Sequence, residues 1–201
     1  MYLIVLPAAI AWDVWNTWQA CEGHPCGIYQ DTALKSPNKS RPHINLGRAY
    51  LLHGRADLAL REYQQADLVS LEETEPTRSY AQILVATNIS DLFMRTGRME
   101  EGHEILKEAW LKHPHAPSLA FNLSSYYLTR KPPEPEKALA FLDDALAHQD
   151  EFHVTDWDRG RLYWNRAASY QLLGRCAEKH EDFMRMRRLP EVSQIQEWEC
   201  P

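Results

Sequence analysis

The chain has 201 residues, of which 44% are hydrophobic and 25% are charged, and its formal net charge at pH 7 is −6. These values are typical of one globular domain and exclude the disordered and fibrous classes. Acidic and basic residues are interspersed, which argues against nucleic-acid binding, because that function usually requires a dense basic face. Glycine is scarce, and this disfavours β-sandwiches and barrels, which need many tight turns.

The first segment, residues 1–12, is apolar and carries no charged side chain. It is shorter than the roughly 20 residues that a helix needs to span a bilayer. It also lacks the positively charged region that opens a signal peptide. Two interpretations stay open for this segment: the end of a longer membrane helix that tethers the chain, or a terminal helix packed on the domain.

Cys21 and Cys26 enclose a short segment whose glycine and proline let the chain fold back on itself. In an oxidising compartment the two thiols are candidates for a local disulfide, and two unpaired thiols are the alternative. A metal site of Cys21, His24 and Cys26 is a third interpretation. It is disfavoured because no fourth ligand accompanies them and the spacing is not that of a zinc finger. We therefore predict no metal site and no cofactor.

From Ser40 onward one pattern of small and large residues recurs four times. In the first unit the pattern consists of Leu46, Gly47, Tyr50, Gly54, Ala59, Tyr63 and Ala66. Small residues are expected where two helices cross closely, and large residues fill the holes beside them. The spacing resembles the tetratricopeptide-repeat (TPR) family, whose unit is a helical hairpin of about 34 residues. The resemblance implies an all-α fold, a right-handed superhelix of about four hairpins with an N-terminal helical extension. The predicted ranges are 40–73, 83–116, 117–152 and 160–193 for the repeats, 1–39 for the lead-in and 194–201 for the tail.

The joins between the repeated units differ in length. Nine additional residues follow the first unit, which predicts that the first helix of the second unit begins early, near Pro76. Two additional residues in the proline-rich segment 129–138 separate the helices of the third unit, because proline cannot continue a helix. Thr155 and Asp158 resemble a capping box, which predicts an early first helix in the fourth unit as well.

The fourth unit departs most from the pattern. Lys179 replaces the usual alanine, and Arg166 occupies an apolar position. A weaker last repeat is typical of a capping unit, whose outer face meets water.

The sequence contains none of the common catalytic motifs. No phosphate-binding glycine loop, HExxH or GxSxG is present. Asp143 and Asp144 are adjacent, but neighbouring helical side chains diverge by about 100° and cannot share a substrate. His113 and His115 flank Pro114 in a predicted turn, where polar residues are expected. We predict that the protein is not an enzyme.

In TPR arrays the first helix of each hairpin lines a concave groove. The resemblance places an asparagine at the same groove position in all four units: Asn45, Asn88, Asn122 and Asn165. An amide both donates and accepts hydrogen bonds, so such a row can hold a peptide backbone. It resembles the asparagine ladder in the TPR domain of O-linked N-acetylglucosamine transferases, although asparagine is also common at this position of TPR sequences. The other predicted groove residues are Arg41, Arg48, Asp91, Phe121, Arg161 and Trp164. The predicted partner is a protein or an extended peptide with apolar and some acidic side chains.

The residues leading into the first repeat resemble a more specific group. The matching stretches are Gln30-Asp31-Thr32, Lys35-Ser36-Pro37, Arg41-Pro42-His43 and Asn45-Leu46-Gly47. They resemble the junction between the last membrane helix and a periplasmic TPR domain in bacterial polytopic membrane proteins related to dolichyl-phosphate-mannose-type glycosyltransferases. The resemblance implies a periplasmic recognition domain for an envelope glycosylation or assembly process. The alternatives are a soluble cytoplasmic TPR adaptor, and a self-associating solenoid that uses aromatic residues such as Trp157 and Trp198.

Overall fold

The computed structural model describes residues 27–152 and 154–190, and within these ranges the protein is helical and contains no β-strand. This confirms the predicted all-α class. The helices are α1 (Gly27–Lys35), α2 (Ser40–Leu52), α3 (Ala56–Ser70), α4 (Thr77–Arg95), α5 (Met99–Lys112), α6 (Pro117–Thr129), α7 (Pro135–Ala147), α8 (Asp156–Leu172) and α9 (Cys176–Arg187). A 3₁₀ turn, Gln149–Glu151, lies between α7 and α8. Among the helices of these ranges, none is both long enough and apolar enough to cross a membrane.

The described residues form two compact units that divide between Leu92 and Phe93, within α4. In the first unit α1 packs on α2, and α2 packs on α3. In the second unit α5 packs on α6, α6 packs on both α7 and α8, and α8 packs on both α7 and α9. The predicted segment 1–12, the predicted tail 194–201, and Cys21 and Cys26 lie outside the described residues.

One hydrogen bond recurs in the turns between paired helices. The backbone N–H of the residue before the second helix donates to the carbonyl oxygen of an aromatic residue in the first helix. The four bonds are Arg55 N to Tyr50 O (2.9 Å), Arg98 N to Phe93 O (2.8 Å), Glu134 N to Tyr127 O (2.9 Å) and Arg175 N to Tyr170 O (2.8 Å). The four aromatic residues occupy one position of the repeated sequence pattern. The same backbone hydrogen bond therefore recurs with the same period as the sequence pattern.

Glycine makes three of these turns. Gly54, Gly97 and Gly174 precede the arginines with φ of 74°, 81° and 69°. Glycine adopts this left-handed conformation without a steric cost, because it has no Cβ. The third pair of helices has no such glycine. There the proline-containing segment between Thr129 and Pro135 makes the turn, as predicted.

The first pair of helices shows why a small residue is required at the crossing. A Cβ atom built on Gly47 of α2 would lie 2.5 Å from Cε1 of Tyr63 on α3. Tyr63 is fully buried, so its ring has no room to retreat. In the last pair, Ala167 and Phe183 hold the corresponding positions and belong to one buried cluster.

The two early helix starts are also found. Helix α4 begins at Thr77, next to the predicted Pro76. Helix α8 begins at Asp156, where the Thr155 hydroxyl oxygen accepts from the backbone N–H of Asp158 at 3.1 Å. That hydroxyl also donates to Oδ2 of Asp158 at 2.7 Å. The cap therefore satisfies a backbone donor that the helix leaves unpaired.

Polar side chains fill part of the interior of the last helix pair. Lys179 is 2% exposed and Asp182 is fully buried. Arg166 pairs with Asp182 through two hydrogen bonds, from Nε at 2.8 Å and from Nη2 at 2.6 Å. Arg166 also reaches Asp143 on α7 at 2.9 Å. Arg166, which departs from the sequence pattern, therefore has charged partners on both neighbouring helices, and the ammonium nitrogen of Lys179 lies 6.0 Å from the Phe183 ring centroid.

Candidate functional site

A pocket of about 360 Å³ lies in the first unit, between α1 and α2. Its lining residues are Tyr29, Asn45, Arg48, Ala49, Leu52 and His53. Asn45 and Arg48 are two of the groove residues that the repeat register predicts. The structure therefore brings them together at a concave surface of a size that accommodates a side chain or a small ligand.

Packing and hydrogen bonds hold the two walls of this pocket in place. Ala33 of α1 packs with Leu46 and Ala49 of α2 in a small apolar cluster. The amide nitrogen of Gln30 donates to the Tyr50 hydroxyl oxygen at 2.6 Å. Small residues allow the helices to approach, and the polar contact specifies their alignment.

The N-terminus of α2 is fixed as well. Ser40 donates to the carboxylate of Glu73 twice, from its backbone nitrogen at 3.0 Å and from its hydroxyl at 2.8 Å. Both residues are buried. A carboxylate at this place satisfies an unpaired backbone donor and interacts favourably with the helix dipole. The helix that carries the pocket residues is therefore held at both its face and its end.

Apolar side chains at the pocket face solvent. Leu52 is 79% exposed and Tyr29 is 42% exposed. The guanidinium-bearing side chain of Arg48 is exposed beside the half-buried Asn45. A cation, an amide and apolar surface together suit a ligand that has an acidic or carbonyl group next to an apolar side chain.

The remaining predicted groove residues of the first unit do not line this pocket. Arg41 is exposed near the start of α2. Asn88 and Asp91 lie half-buried on α4. The amide nitrogen of Asn88 donates to the carbonyl oxygen of Leu84, one turn earlier, at 2.7 Å.

In the second unit the predicted residues of α6 and α8 meet. The guanidinium carbon of Arg161 lies 4.3 Å from the ring centroid of Phe121, a cation–π contact. Arg161 also bonds to Oδ1 of Asp158 at 3.1 Å. Trp164 follows Arg161 by three residues and is 40% exposed. Arg161 and Trp164 lie on one side of α8 together with Trp157 and Leu172, at helical spacing. We call the surface formed by these four residues the α8 face.

The two asparagines of the second unit use their amide nitrogens differently. Asn122 repeats the local bond of Asn88, donating to the carbonyl oxygen of Ser118 at 2.7 Å. Asn165 is only 7% exposed, and its amide nitrogen contacts the hydroxyl oxygens of Ser124 and Ser125, each at 2.9 Å. Asn165 therefore joins α8 to α6, whereas Asn45 lines a pocket.

Two other ionisable side chains of the second unit, His103 and Tyr126, are buried and stack on each other. His103 stacks on Tyr126 with ring centroids 3.9 Å apart, and its Nε2 lies 3.2 Å from the Tyr127 hydroxyl. Burial lowers the pKa of His103. Burial and a 2.7 Å hydrogen bond to Glu100 raise the pKa of Tyr126 to about 12. Both shifts favour the uncharged forms at neutral pH, as expected for an aromatic core.

Two features of the described residues are absent from the sequence-based prediction. Tyr29 lies on α1, before the first repeat, so the repeat register could not assign it to the pocket. His115 and His148 approach Asp144, a grouping that the sequence analysis did not predict. His115 and Asp144 are 29 residues apart in the sequence, so their hydrogen bond could not be predicted from local spacing.

No protein-family model and no curated protein sequence matches this chain.

Proposed function

We propose that this chain is a TPR-type scaffold that binds an extended protein segment and is not itself an enzyme. The observation that carries the proposal is the pocket in the first unit, where Asn45 and Arg48 occupy predicted groove positions and form one surface with Leu52. The α8 face supports it from the second unit, because Arg161 and Trp164 also occupy predicted groove positions.

The backbone supports the assignment to TPR repeats. The same aromatic carbonyl accepts the same turn hydrogen bond in four helix pairs of the described ranges. The Gly47–Tyr63 contact matches the small-against-large packing of the pattern. The right-handed superhelix and the continuous asparagine ladder stay predictions, and the pocket and the α8 face are proposed as separate binding surfaces, one in each unit.

The proposed partner is an extended peptide with apolar side chains and at least one acidic side chain. Arg48 and Arg161 provide positive charge, whereas Tyr29, Leu52 and Trp164 provide exposed apolar surface. Arginine binds carboxylates with two parallel hydrogen bonds, which adds geometric specificity to attraction. Aromatic and arginine side chains are also enriched among residues that dominate binding energy.

A peptide array followed by titration of the best ligand tests the proposal. We expect the strongest signals from peptides that alternate apolar and acidic residues. Arg48→Ala should weaken binding about tenfold, a loss of roughly 1.4 kcal/mol, and Asn45→Ala should weaken it less. Arg61→Ala is the matched control, since Arg61 is exposed on α3 of the same unit and does not line the pocket. Equal affinity of wild type, Arg48→Ala and Arg61→Ala would remove the pocket from the proposal.

We further propose that the chain works in an oxidising compartment, as the resemblance to periplasmic TPR domains implies. Cys176 at the start of α9 is disulfide-bonded, and such bonds persist outside reducing compartments. Alkylation of the protein in its source cells, before lysis, tests this. An unmodified Cys176 supports an envelope location, whereas quantitative labelling of Cys176 would favour the cytoplasmic adaptor.

Self-association is a second candidate function, and the α8 face favours it. Trp157 is 56% exposed and Leu172 is 52% exposed on this helix. Large apolar side chains on one helix face are typical of a surface that another protein covers. A second copy of the chain would cover the same face that the first proposal assigns to a peptide.

A further inference from the structure

Two histidines and an aspartate of the second unit form a cluster outside the proposed peptide-binding surface. His115 lies in the turn between α5 and α6, Asp144 lies in the last turn of α7, and His148 directly follows α7. Each offers one ligand atom, and these atoms lie within 4.8 Å of one another. The imidazole rings of His115 and His148 are stacked, with centroids 3.8 Å apart.

The aspartate holds both imidazoles. Nδ1–H of His115 donates to Oδ2 of Asp144 at 2.8 Å. Nδ1–H of His148 donates to the backbone carbonyl oxygen of Asp144 at 2.8 Å and lies 3.7 Å from its Oδ1. The three residues therefore share one small polar site although His115 is far from the other two in sequence.

The backbone directs His115 into this site at a conformational cost. Its φ is 66°, and it is the one non-glycine residue with positive φ in the described ranges. Residues with a Cβ disfavour this region, although histidine enters it more often than most. Unfavourable backbone conformations concentrate at functional positions, and here the strained residue is the one that completes the cluster.

We propose that His115, Asp144 and His148 bind a divalent transition-metal ion such as Zn²⁺. Two imidazoles and a carboxylate are a ligand set that suits this class of ion, with solvent water completing a tetrahedral site. Each imidazole binds the ion in its neutral form, through the nitrogen that carries no proton, so where Nδ1 of His115 is the ligand its proton moves to Nε2. The C-terminus of α7 adds favourable electrostatics, because the helix dipole is negative there.

Ion binding requires the two rings to leave their stack. Zn–N distances of about 2.0–2.1 Å bring the ligand atoms closer together than 4.8 Å, and stacked rings cannot both point at one ion. The side chains have room to turn, since His115 is 31% exposed and His148 is 37% exposed. The bound ion would cross-link the α5–α6 turn to the C-terminal end of α7. This inference does not depend on the proposed function.

The test is a calorimetric titration of the full chain with Zn²⁺, accompanied by tryptophan fluorescence. The Trp110 ring lies 6.4 Å from the His115 ring, between centroids, so ion binding should change its emission. We expect one ion per chain and an affinity at least tenfold lower in His115→Ala and in His148→Ala.

His180→Ala is the control, since His180 is an exposed histidine on α9 outside the cluster. It should bind Zn²⁺ as wild type does. Circular dichroism checks that each variant is folded, and Asp144→Asn provides a further variant that keeps the volume while removing the charge. Wild-type affinity in both His148→Ala and Asp144→Asn, or no uptake of Zn²⁺ by the wild-type chain, would overturn the proposal.

Discussion

At the scale of single residues, the burial of His103 makes the stability of the folded protein depend on pH. It is 6% exposed between Tyr126 and Tyr127, and its Nδ1 has no hydrogen-bond partner among the described residues. Burial lowers its pKa in the folded state, so the unfolded chain binds a proton more readily. Its contribution to stability is therefore complete above the unfolded-state pKa of about 6.5 and is lost as pH falls below that value.

We expect the free energy of unfolding to decrease between pH 7 and pH 5, and part of this decrease to disappear in His103→Gln. Denaturant titrations of both proteins across this range measure it. His180→Gln, which changes an exposed histidine on α9, should keep the wild-type slope. The same pH slope in wild type and His103→Gln would mean that other groups carry the dependence.

At the scale of elements, the glycine turns join the paired helices. Gly97 has φ of 81° and nothing within 4 Å of an added Cβ, so its role is conformational and not steric. Gly97→Ala should destabilise the protein by about 1–2 kcal/mol, because alanine is disfavoured at positive φ. Gly97→Asn should cost less, since asparagine tolerates this region. Thermal unfolding of the two variants gives the comparison, and equal losses would contradict the explanation.

The ion pair between α8 and α9 gives a second prediction at this scale. Arg166 and Asp182 are joined by two hydrogen bonds, and Asp182 also accepts from Arg185 at 2.8 Å. Asp182→Ala should destabilise the protein by about 3–5 kcal/mol, because it leaves the arginine charge without its buried partner.

The double variant Arg166→Met/Asp182→Leu should recover much of that loss, because apolar side chains of similar volume often replace buried ion pairs well. Urea unfolding of wild type, Arg166→Met, Asp182→Leu and the double variant provides the double-mutant cycle. Additive losses would show that the two charges act independently of each other.

At the scale of the whole molecule, the helical architecture was largely predictable from sequence. The packing of Gly47 against Tyr63 depends on residue sizes at fixed spacing, and the start of α8 depends on Thr155 and Asp158, which are close in sequence. Contacts and helix starts of this kind can be predicted from residue types and their spacing in the sequence. The Arg166–Asp182 pair was only half predictable, since the pattern places Arg166 at an apolar position but assigns no role to Asp182.

The candidate site was less predictable. Tyr29 reaches the pocket because α1 packs on α2 before the first repeat, and the repeat register says nothing about that helix. The asparagines look equivalent in sequence, but Asn165 is buried against Ser124 and Ser125, and Asn45 lines a cavity. Equivalent sequence positions therefore acquire different roles from neighbours that lie far along the chain.

The α8 face separates the two functions proposed for the whole protein. If this face binds a peptide, the purified chain should remain a monomer over a wide concentration range, and Trp157→Ser should lower peptide affinity without changing the native mass. If it binds a second copy, the mass should rise with concentration, and Trp157→Ser should abolish that rise. Leu111→Ser is the matched control, because Leu111 is 82% exposed on α5 and outside the α8 face. We expect the monomer, because the α8 face carries Arg161 among its apolar residues and therefore suits an acidic, apolar segment better than it suits an identical cationic surface.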